Sequence, residues 1–68
     1  MDSVARITHI SARSEVGFED AVRVGVERAN TTLRNVRGAW VKEQKVECED
    51  GAITAFQVVL EVTFVLDD

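Results

Sequence analysis

Residues 52–68, AITAFQVVLEVTFVLDD, decide the fold of this chain. Their Val, Phe and Thr content is typical of a β-strand. Apolar residues occupy every even position from 56 to 66: Phe56, Val58, Leu60, Val62, Phe64 and Leu66. Because successive side chains of a strand point to opposite faces, we expect the even face to be buried. The odd face mixes apolar and polar residues, which indicates that the second side of the sheet meets other copies of the chain.

The length of 68 residues predicts a single domain, residues 1–68. A chain this short buries only about 60% of its unfolded surface and usually needs a disulfide, a metal or an oligomer. Cys48 is the only cysteine, so an intrachain disulfide is excluded, and no Cys/His cluster predicts a zinc site. Oligomerisation is the remaining source of stability, in agreement with the odd face of the last strand.

The net charge is -4, from twelve acidic and eight basic residues. This balance excludes binding to a phosphate backbone, which needs a basic surface, and a polybasic membrane anchor. The sequence has no apolar run of the roughly 18 residues that span a bilayer, and its first residues show no signal-peptide pattern. We therefore expect a cytoplasmic protein without nucleic-acid or membrane partners.

The first half of the chain predicts a strand and then a helix. The strand covers Val4–Ile10, and Ser11–Gly17 form a polar connection. From Phe18 the apolar residues recur at three- and four-residue steps, which predicts a helix that ends near residues 33–35. The apolar stripe of this helix contains Phe18, Val22, Gly25, Val26, Ala29 and Leu33.

The second half predicts a hairpin. Ala39–Cys48 form the second strand, and Asp50-Gly51 is a strong signal for a tight turn into the last strand. The chain is therefore an α+β protein with the order β-α-β-β. A right-handed crossover through the helix leaves room for the third strand between the other two. The helix then covers the even face of this central strand.

A two-residue turn fixes which residues oppose one another in the hairpin. Trp40 then lies opposite Glu61, Lys42 opposite Val59 and Gln44 opposite Gln57. Opposed residues share a face of the sheet, so we expect the face away from the helix to carry Gly38, Trp40, Lys42, Gln44, Gln57, Val59, Glu61 and Thr63. A three-residue loop would instead place Trp40 inside.

A tryptophan and two glutamines on such a face allow two interpretations. In the first, the indole of Trp40 stacks on a planar ligand while a carboxamide bonds the edge of that ligand. In the second, Trp40 anchors a contact between subunits, since tryptophan is enriched in interface cores.

The ordered set of segments resembles the dodecin family over nearly the full chain. The matching segments are residues 18–22 (FEDAV), residues 32–36 (TLRNV), Asp50-Gly51, residues 56–58 (FQV) and residues 62–67 (VTFVLD). The resemblance implies a hollow sphere of twelve identical subunits, so the expected protein partners of the chain are other copies of itself. It also implies flavin, either FMN or riboflavin, bound in pairs at subunit interfaces. Dodecins are thought to store or sequester flavin and to quench its excited state without catalysing a reaction.

The functional residues of the family match this chain only in part. The family glutamine, which bonds the polar edge of the flavin ring, corresponds to Gln57. The family tryptophan, which stacks on the ring, falls on Gly38, and Trp40 lies two residues later, about 7 Å along the same face. The Gly-Thr-Ser that precedes the helix in the family is Ala12-Arg13-Ser14 here. Trp40, Gln57, Gly38 and Gln44 are therefore the candidate flavin-binding residues.

Two other functions remain to be weighed. A dodecin-like shell without flavin is the alternative, either purely structural or binding calcium or another small ligand, with Glu47, Glu49, Asp50 and Glu61 as possible oxygen donors. Calcium needs six to eight oxygens, and no compact acidic loop supplies them. An enzyme is disfavoured, because the sequence shows no nucleophile–base pair, phosphate loop or paired-carboxylate motif.

Overall fold

The computed structural model describes residues 4–66 and has the order β-α-β-β. Its elements are β1 (Ala5–Ser14), α1 (Phe18–Thr32), β2 (Val36–Glu49) and β3 (Ala52–Val65). The predicted continuation of the last strand into Asp67 and Asp68 lies outside the described residues. The helix α1 ends within a few residues of the predicted position, and Leu33 follows it in an extended conformation.

The sheet has the strand order β1-β3-β2, and both neighbours run antiparallel to β3. The predicted central position of the last strand is confirmed. Val58, Leu60 and Val62 have no exposed surface, so the middle of the even face is the core beneath the helix, as predicted. The prediction is wrong for Leu66, which follows the end of β3 and is 41% exposed. Phe56 completes this face near the start of the helix, where its ring meets the ring of Phe18 edge-on at a centroid distance of 5.1 Å.

The helix lies very close to the sheet because small residues face it. Ala21, Gly25 and Ala29 are buried at successive turns, and Ala21 belongs to the apolar stripe although the sequence pattern omitted it. A Cβ at Gly25 would lie 2.8 Å from Leu60 Cδ1 and 3.0 Å from Ala12 Cβ. Both distances are shorter than van der Waals contact, so a larger residue at this crossing would force Leu60 and Ala12 to shift.

The first strand is longer than predicted. Residues 11–14, assigned to the polar connection, continue β1 and pair with residues 56–59 of β3. Ala12 and Ser14 point under the helix and are buried, whereas Ser11 and Arg13 are exposed. The prediction ended the strand too early because a half-exposed strand has polar residues at alternate positions, and these resemble a loop.

The tight turn at Asp50-Gly51 is confirmed. Asp50 and Gly51 have positive φ angles of 52° and 81°, as a two-residue turn between twisted strands requires. β2 runs from Val36 to Glu49 and is therefore longer than the predicted second strand, Ala39–Cys48. The pairing of Glu49 with Ala52 and of Trp40 with Glu61 agrees with the predicted register.

Between these two pairs the predicted register is wrong. Thr54 is an extra residue in β3, and its hydroxyl donates to the Glu47 carbonyl oxygen at 3.2 Å. Lys42 is an extra residue in β2 and restores the original register. Each β-bulge shifts the pairing by one residue. Consequently Glu43, not Lys42, lies opposite Val59, and Lys45, not Gln44, lies opposite Gln57.

The two bulges also change which residues of β2 face the helix. Without them, Glu43 and Lys45 would share the helix side of the sheet with Val41. With them, Gln44 and Val46 take the helix side, and Glu43 and Lys45 turn to the other face. Val41 lies opposite Leu60 on the helix side, where the two-residue turn alone would also place it, but it is 48% exposed and is not part of the core.

Replacing Gly25 tests the close approach of helix and sheet. Gly25→Ala gains about 1 kcal/mol of helix propensity but forces an extra carbon against buried neighbours, which costs about 1–3 kcal/mol. We expect a net loss of about 1 kcal/mol in the free energy of unfolding, measured by urea denaturation. Gly38→Ala is the matched control, because a Cβ there meets no atom within 4 Å. A Gly25→Ala protein as stable as wild type would contradict the packing.

Candidate functional site

The side of the sheet away from the helix carries the candidate site, and we call it the outer face. The strand pairing places on it Ile7, His9, Ser11 and Arg13 from β1, Ala55, Gln57, Val59, Glu61 and Thr63 from β3, and Gly38, Trp40, Glu43, Lys45 and Glu47 from β2. β3 lies at the centre of the outer face, between β1 and β2. Its residues on this face are mixed in polarity, as predicted.

Trp40 is the largest apolar group on the outer face. It lies opposite Glu61, as predicted, and is 66% exposed in the single chain. Ile7, on the far strand of the same face, is 56% exposed. Large apolar side chains exposed on one face indicate a surface that another molecule covers.

Gln57 has a partner within its own chain. Its Nε2 donates a hydrogen bond of 2.8 Å to Ser11 Oγ. The sequence pattern predicts a ligand as the partner of Gln57, and it misses Ser11 because the predicted first strand ends at Ile10. His9, Ser11 and Arg13 alternate with the apolar Ile10 and Ala12. This alternation is the signal that could have extended the predicted strand to include Ser11.

The other two candidate residues have different positions. Gly38 lies opposite Thr63 on the outer face, with open space where a Cβ would be. Gln44 pairs with Val58, whose side chain points under the helix, so the Gln44 side chain does not share the outer face with Gln57. The bulge at Thr54 is the physical reason, and the sequence alone gave no sign of it.

Trp40 and Gln57 do not meet within one chain. Trp40 is paired with Glu61, which is four residues from Gln57 along β3. At about 3.3 Å per residue, this separation is about 13 Å. This separation is compatible with a site to which different copies of the chain contribute the indole and the carboxamide.

A shallow depression lies around Gln57. It has a volume of about 350 Å³ and is lined by Gln57, Val59, Glu43, Gln44 and Lys45. Trp40 is not among its lining residues. The depression offers polar groups that could meet the edge of a ligand, whereas the apolar surface of Trp40 lies further along the sheet.

The charged side chains of the outer face are largely paired across strands. His9 Nε2 lies 2.9 Å from Glu61 Oε2, next to Trp40. Arg13 Nε donates to Glu47 Oε2 at 3.1 Å, and this pair crosses β3 beside the completely buried Ala55. Each pair is exposed to water, so its contribution to stability is small, but both fix side-chain positions.

The described residues contain no cluster of three or more His, Cys, Asp or Glu side chains that could hold a metal ion. Of the predicted oxygen donors, Glu47 is bonded to Arg13 and Glu61 to His9, and Glu49 and Asp50 lie at the hairpin end. A calcium site built from these carboxylates would have to combine several copies of the chain.

A second polar cluster lies at the start of the helix. The Ser14 hydroxyl accepts from the Val16 amide at 2.9 Å and donates to Asp20 Oδ2 at 2.7 Å, while Arg23 donates to Asp20 Oδ1 at 2.7 Å. The Ser14 hydrogen bond, followed by Arg23, lowers the pKa of Asp20 below its ordinary value of 3.8. The cluster lies beside the helix, so it belongs to the scaffold and not to the outer face.

Comparison with known proteins agrees with the fold and the sequence pattern. The Dodecin family model matches residues 4–67. The chain belongs to the dodecin family. This dodecin is 34% identical to the dodecin of Thermus thermophilus over 68 residues, which covers 100% of this chain and 99% of the relative.

Solved dodecin structures superimpose closely on the chain. The dodecin from Streptomyces davaonensis has a TM-score of 0.93 at 35% identity, with 100% of both chains covered. The calcium dodecin of Mycobacterium tuberculosis, described as a calcium-chelating antigen with a novel calcium-binding site, has a TM-score of 0.81 at 30% identity. That alignment covers 96% of this chain and 93% of the other. The predicted family and fold class are thus confirmed, and dodecins assemble as oligomers.

No helix among residues 4–66 of this dodecin is long and apolar enough to cross a bilayer.

The Asp20 cluster generates a prediction about pH. A carboxyl whose pKa is lowered in the folded state stabilises that state above its unfolded pKa of about 3.8, and this stabilisation is lost as the pH falls through the lowered value. We expect Asp20→Asn to unfold at a lower urea concentration than wild type at pH 7, with a smaller difference near pH 3. Glu19→Gln is the control, since it removes a first-turn carboxylate without breaking the Ser14 and Arg23 hydrogen bonds. If Asp20→Asn and Glu19→Gln lowered the urea concentration of unfolding equally at pH 7, the result would contradict a stabilising role of the Ser14–Asp20–Arg23 cluster.

Proposed function

We propose that the chain forms a homododecameric hollow sphere that binds flavin, as riboflavin or FMN, at contacts between copies. The protein stores or sequesters the flavin and catalyses no reaction. The observation that carries this proposal is the exposed indole of Trp40 on the outer face, which also carries Gln57. The membership of the dodecin family supports it.

Trp40 is suited to stack on a flat aromatic ligand. Its ring stands on the side of the sheet away from the helix, and Gly38, two residues away on the same face, leaves open space beside it. The resemblance assigns the stacking tryptophan to the position of Gly38. Trp40 lies about 7 Å from that position along the strand, so the proposed stacking surface is shifted and not lost.

The separation of Trp40 and Gln57 supports a site between copies. The two side chains are about 13 Å apart along the sheet, so each chain supplies two half-sites, one stacking and one hydrogen-bonding. Symmetric assembly brings the Trp40 half of one chain towards the Gln57 half of another. In such an arrangement the ring is buried only after assembly, and single chains would hold flavin weakly.

The absence of a reaction is part of the proposal. The histidine of the outer face, His9, is bonded to the Glu61 carboxylate. Ser11, the nearest outer-face hydroxyl along β1, accepts from Gln57 and makes no hydrogen bond with His9 among the described residues. The pattern therefore favours binding over nucleophilic chemistry.

A flavin-free shell that binds calcium is the second candidate. The observation that favours it is the similarity to the calcium dodecin of Mycobacterium tuberculosis. Glu43, Glu47 and Glu61 lie on the outer face of each chain, so an assembly could gather carboxylates that one chain keeps apart. The flavin proposal ranks first because the exposed Trp40 has no use in a calcium site.

The size of the assembly is the first test. Native mass spectrometry of the purified protein should give about twelve times the chain mass of 7.5 kDa, since the exposed outer face must be covered for so short a chain to be stable. A monomer or dimer at micromolar concentration would contradict the shell.

Flavin binding is the second test. Titrating the protein into riboflavin and into FMN should quench flavin emission to saturation, because a stacked indole donates an electron to the excited isoalloxazine ring and takes it back without emission. Trp40→Ala should abolish the quenching, and Gln57→Ala should weaken binding about tenfold by removing hydrogen bonds in a covered site. Calcium titration by calorimetry, run in parallel, tests the alternative.

Val16→Ala is a suitable control for the flavin titration. Val16 is the most exposed large apolar residue described and lies in the connection before the helix, so its truncation removes apolar surface away from the outer face. Val16→Ala should quench flavin as wild type does. A dodecameric wild type that leaves flavin emission unchanged at tens of micromolar would overturn the flavin proposal.

A further inference from the structure

Ser11 and Gln57 are hydrogen-bonded neighbours on adjacent strands of the outer face. Ser11 is paired with Val59 and Gln57 with Arg13, so the two side chains are diagonal neighbours, and Gln57 Nε2 donates to Ser11 Oγ at 2.8 Å. We propose that Ser11 is a positioning residue that holds the Gln57 carboxamide in one orientation and thereby selects the ligand edge that the site accepts. This inference rests on the flavin binding proposed above.

The orientation matters because the two ends of a carboxamide have nearly the same shape and opposite hydrogen-bonding character. The nitrogen has two donors and the oxygen is an acceptor, and half a turn about the last bond exchanges them. With one N–H of Gln57 held by Ser11, the other N–H and Oε1 remain for a ligand. Among residues 4–66 no hydrogen bond to Gln57 Oε1 is found.

A serine hydroxyl can donate as well as accept, so a second group must favour the observed orientation. Lys45 is that group. It is paired opposite Gln57 on β2, on the side of β3 away from Ser11, and it lines the same depression. A cation on that side favours the carbonyl oxygen there and leaves the amide nitrogen towards Ser11. The β-bulge at Thr54 is what brings Lys45, in place of Gln44, beside Gln57.

The exposed acceptor and donor of Gln57 define the chemistry of the ligand. They match a ring edge on which an N–H lies beside a carbonyl, as in a cyclic imide. The isoalloxazine ring has such an edge, where N3–H lies between two carbonyl groups. Methylation of N3 removes the donor and places a methyl group against Gln57 Oε1, so 3-methylriboflavin should bind poorly to a correctly oriented carboxamide.

Assembly makes the positioning stronger than it is in one chain. Ser11 is exposed in the single chain, where water competes for its hydroxyl. A ligand and a second copy that cover the outer face exclude this water, and a hydrogen bond in the covered site is both stronger and more costly to lose. The Ser11–Gln57 pair should therefore affect ligand selection more than it affects folding.

The test compares the affinities of the intact assembly for riboflavin and for 3-methylriboflavin, by fluorescence quenching. Riboflavin is used because it carries no phosphate, so attraction of Lys45 for a charge does not enter. Wild type should bind riboflavin about tenfold more tightly than the methylated ring, because the latter leaves a covered acceptor without a partner. In Ser11→Ala the freed carboxamide can turn, so riboflavin should bind several-fold more weakly and the preference should fall to about twofold.

Two variants complete the comparison. Ser11→Thr keeps the hydroxyl on a residue suited to a strand and should restore the preference of wild type. Thr8→Ala removes a hydroxyl from the same strand, but Thr8 pairs with Val62 on the helix side and should leave the preference unchanged.

The outcomes separate this inference from the proposed function. If Ser11→Ala binds both flavins as wild type does, or loses both equally, Ser11 does not orient Gln57, although flavin binding stands. If wild type quenches neither flavin, the proposed function fails and the inference fails with it. A measurement without ligand gives an independent check: the side-chain amide protons of Gln57 should exchange more slowly in wild type than in Ser11→Ala by NMR, and equal rates would overturn the proposed anchor.

Discussion

The strict alternation of β3 is the constraint on which the rest of the structure depends. One strand, hydrogen-bonded on both sides, presents an apolar face to the single helix and a mixed face to the other side. A chain with only one helix can cover only one face of its sheet. Burial of Val58, Leu60 and Val62 therefore fixes which side chains remain outside, and the composition of the outer face follows from the packing of the core.

Packing beneath the helix and binding outside it are linked through the same strands. Gly25 allows the helix to lie close to Leu60 of β3 and Ala12 of β1, and these two strands are paired over ten residue pairs. The pairing in turn sets Ser11 diagonal to Gln57 and His9 opposite Glu61. The outer-face side chains proposed to bind a ligand are thus positioned by residues on the opposite side of the sheet, without a separate supporting layer in this chain of 68 residues.

The sequence predicted the element order, the central place of β3, the helix stripe and the Asp50-Gly51 turn, because each has a periodic or local chemical signal. It also placed Trp40 and Gln57 on the correct face. It failed at Ser11, whose exposed strand position has the composition of a loop, and at Gln44, whose face depends on an extra residue in the opposite strand. A bulge such as that at Thr54 is a property of two strands together, so the residues of one strand do not reveal it.

The bulge at Thr54 shifts the pairing register of the hairpin by one residue, and the bulge at Lys42 shifts it back. The residues next to the turn and Trp40 keep the register that the turn sets. The residues of β2 between the two bulges are shifted by one position, so their side chains take the opposite faces of the sheet. A stretch of β2 thus exchanges its inward and outward side chains while the turn and Trp40 keep their pairing partners. In a symmetric shell each such exchange would be repeated in every copy, so one pair of bulges can change the chemistry of a whole surface while the fold stays the same.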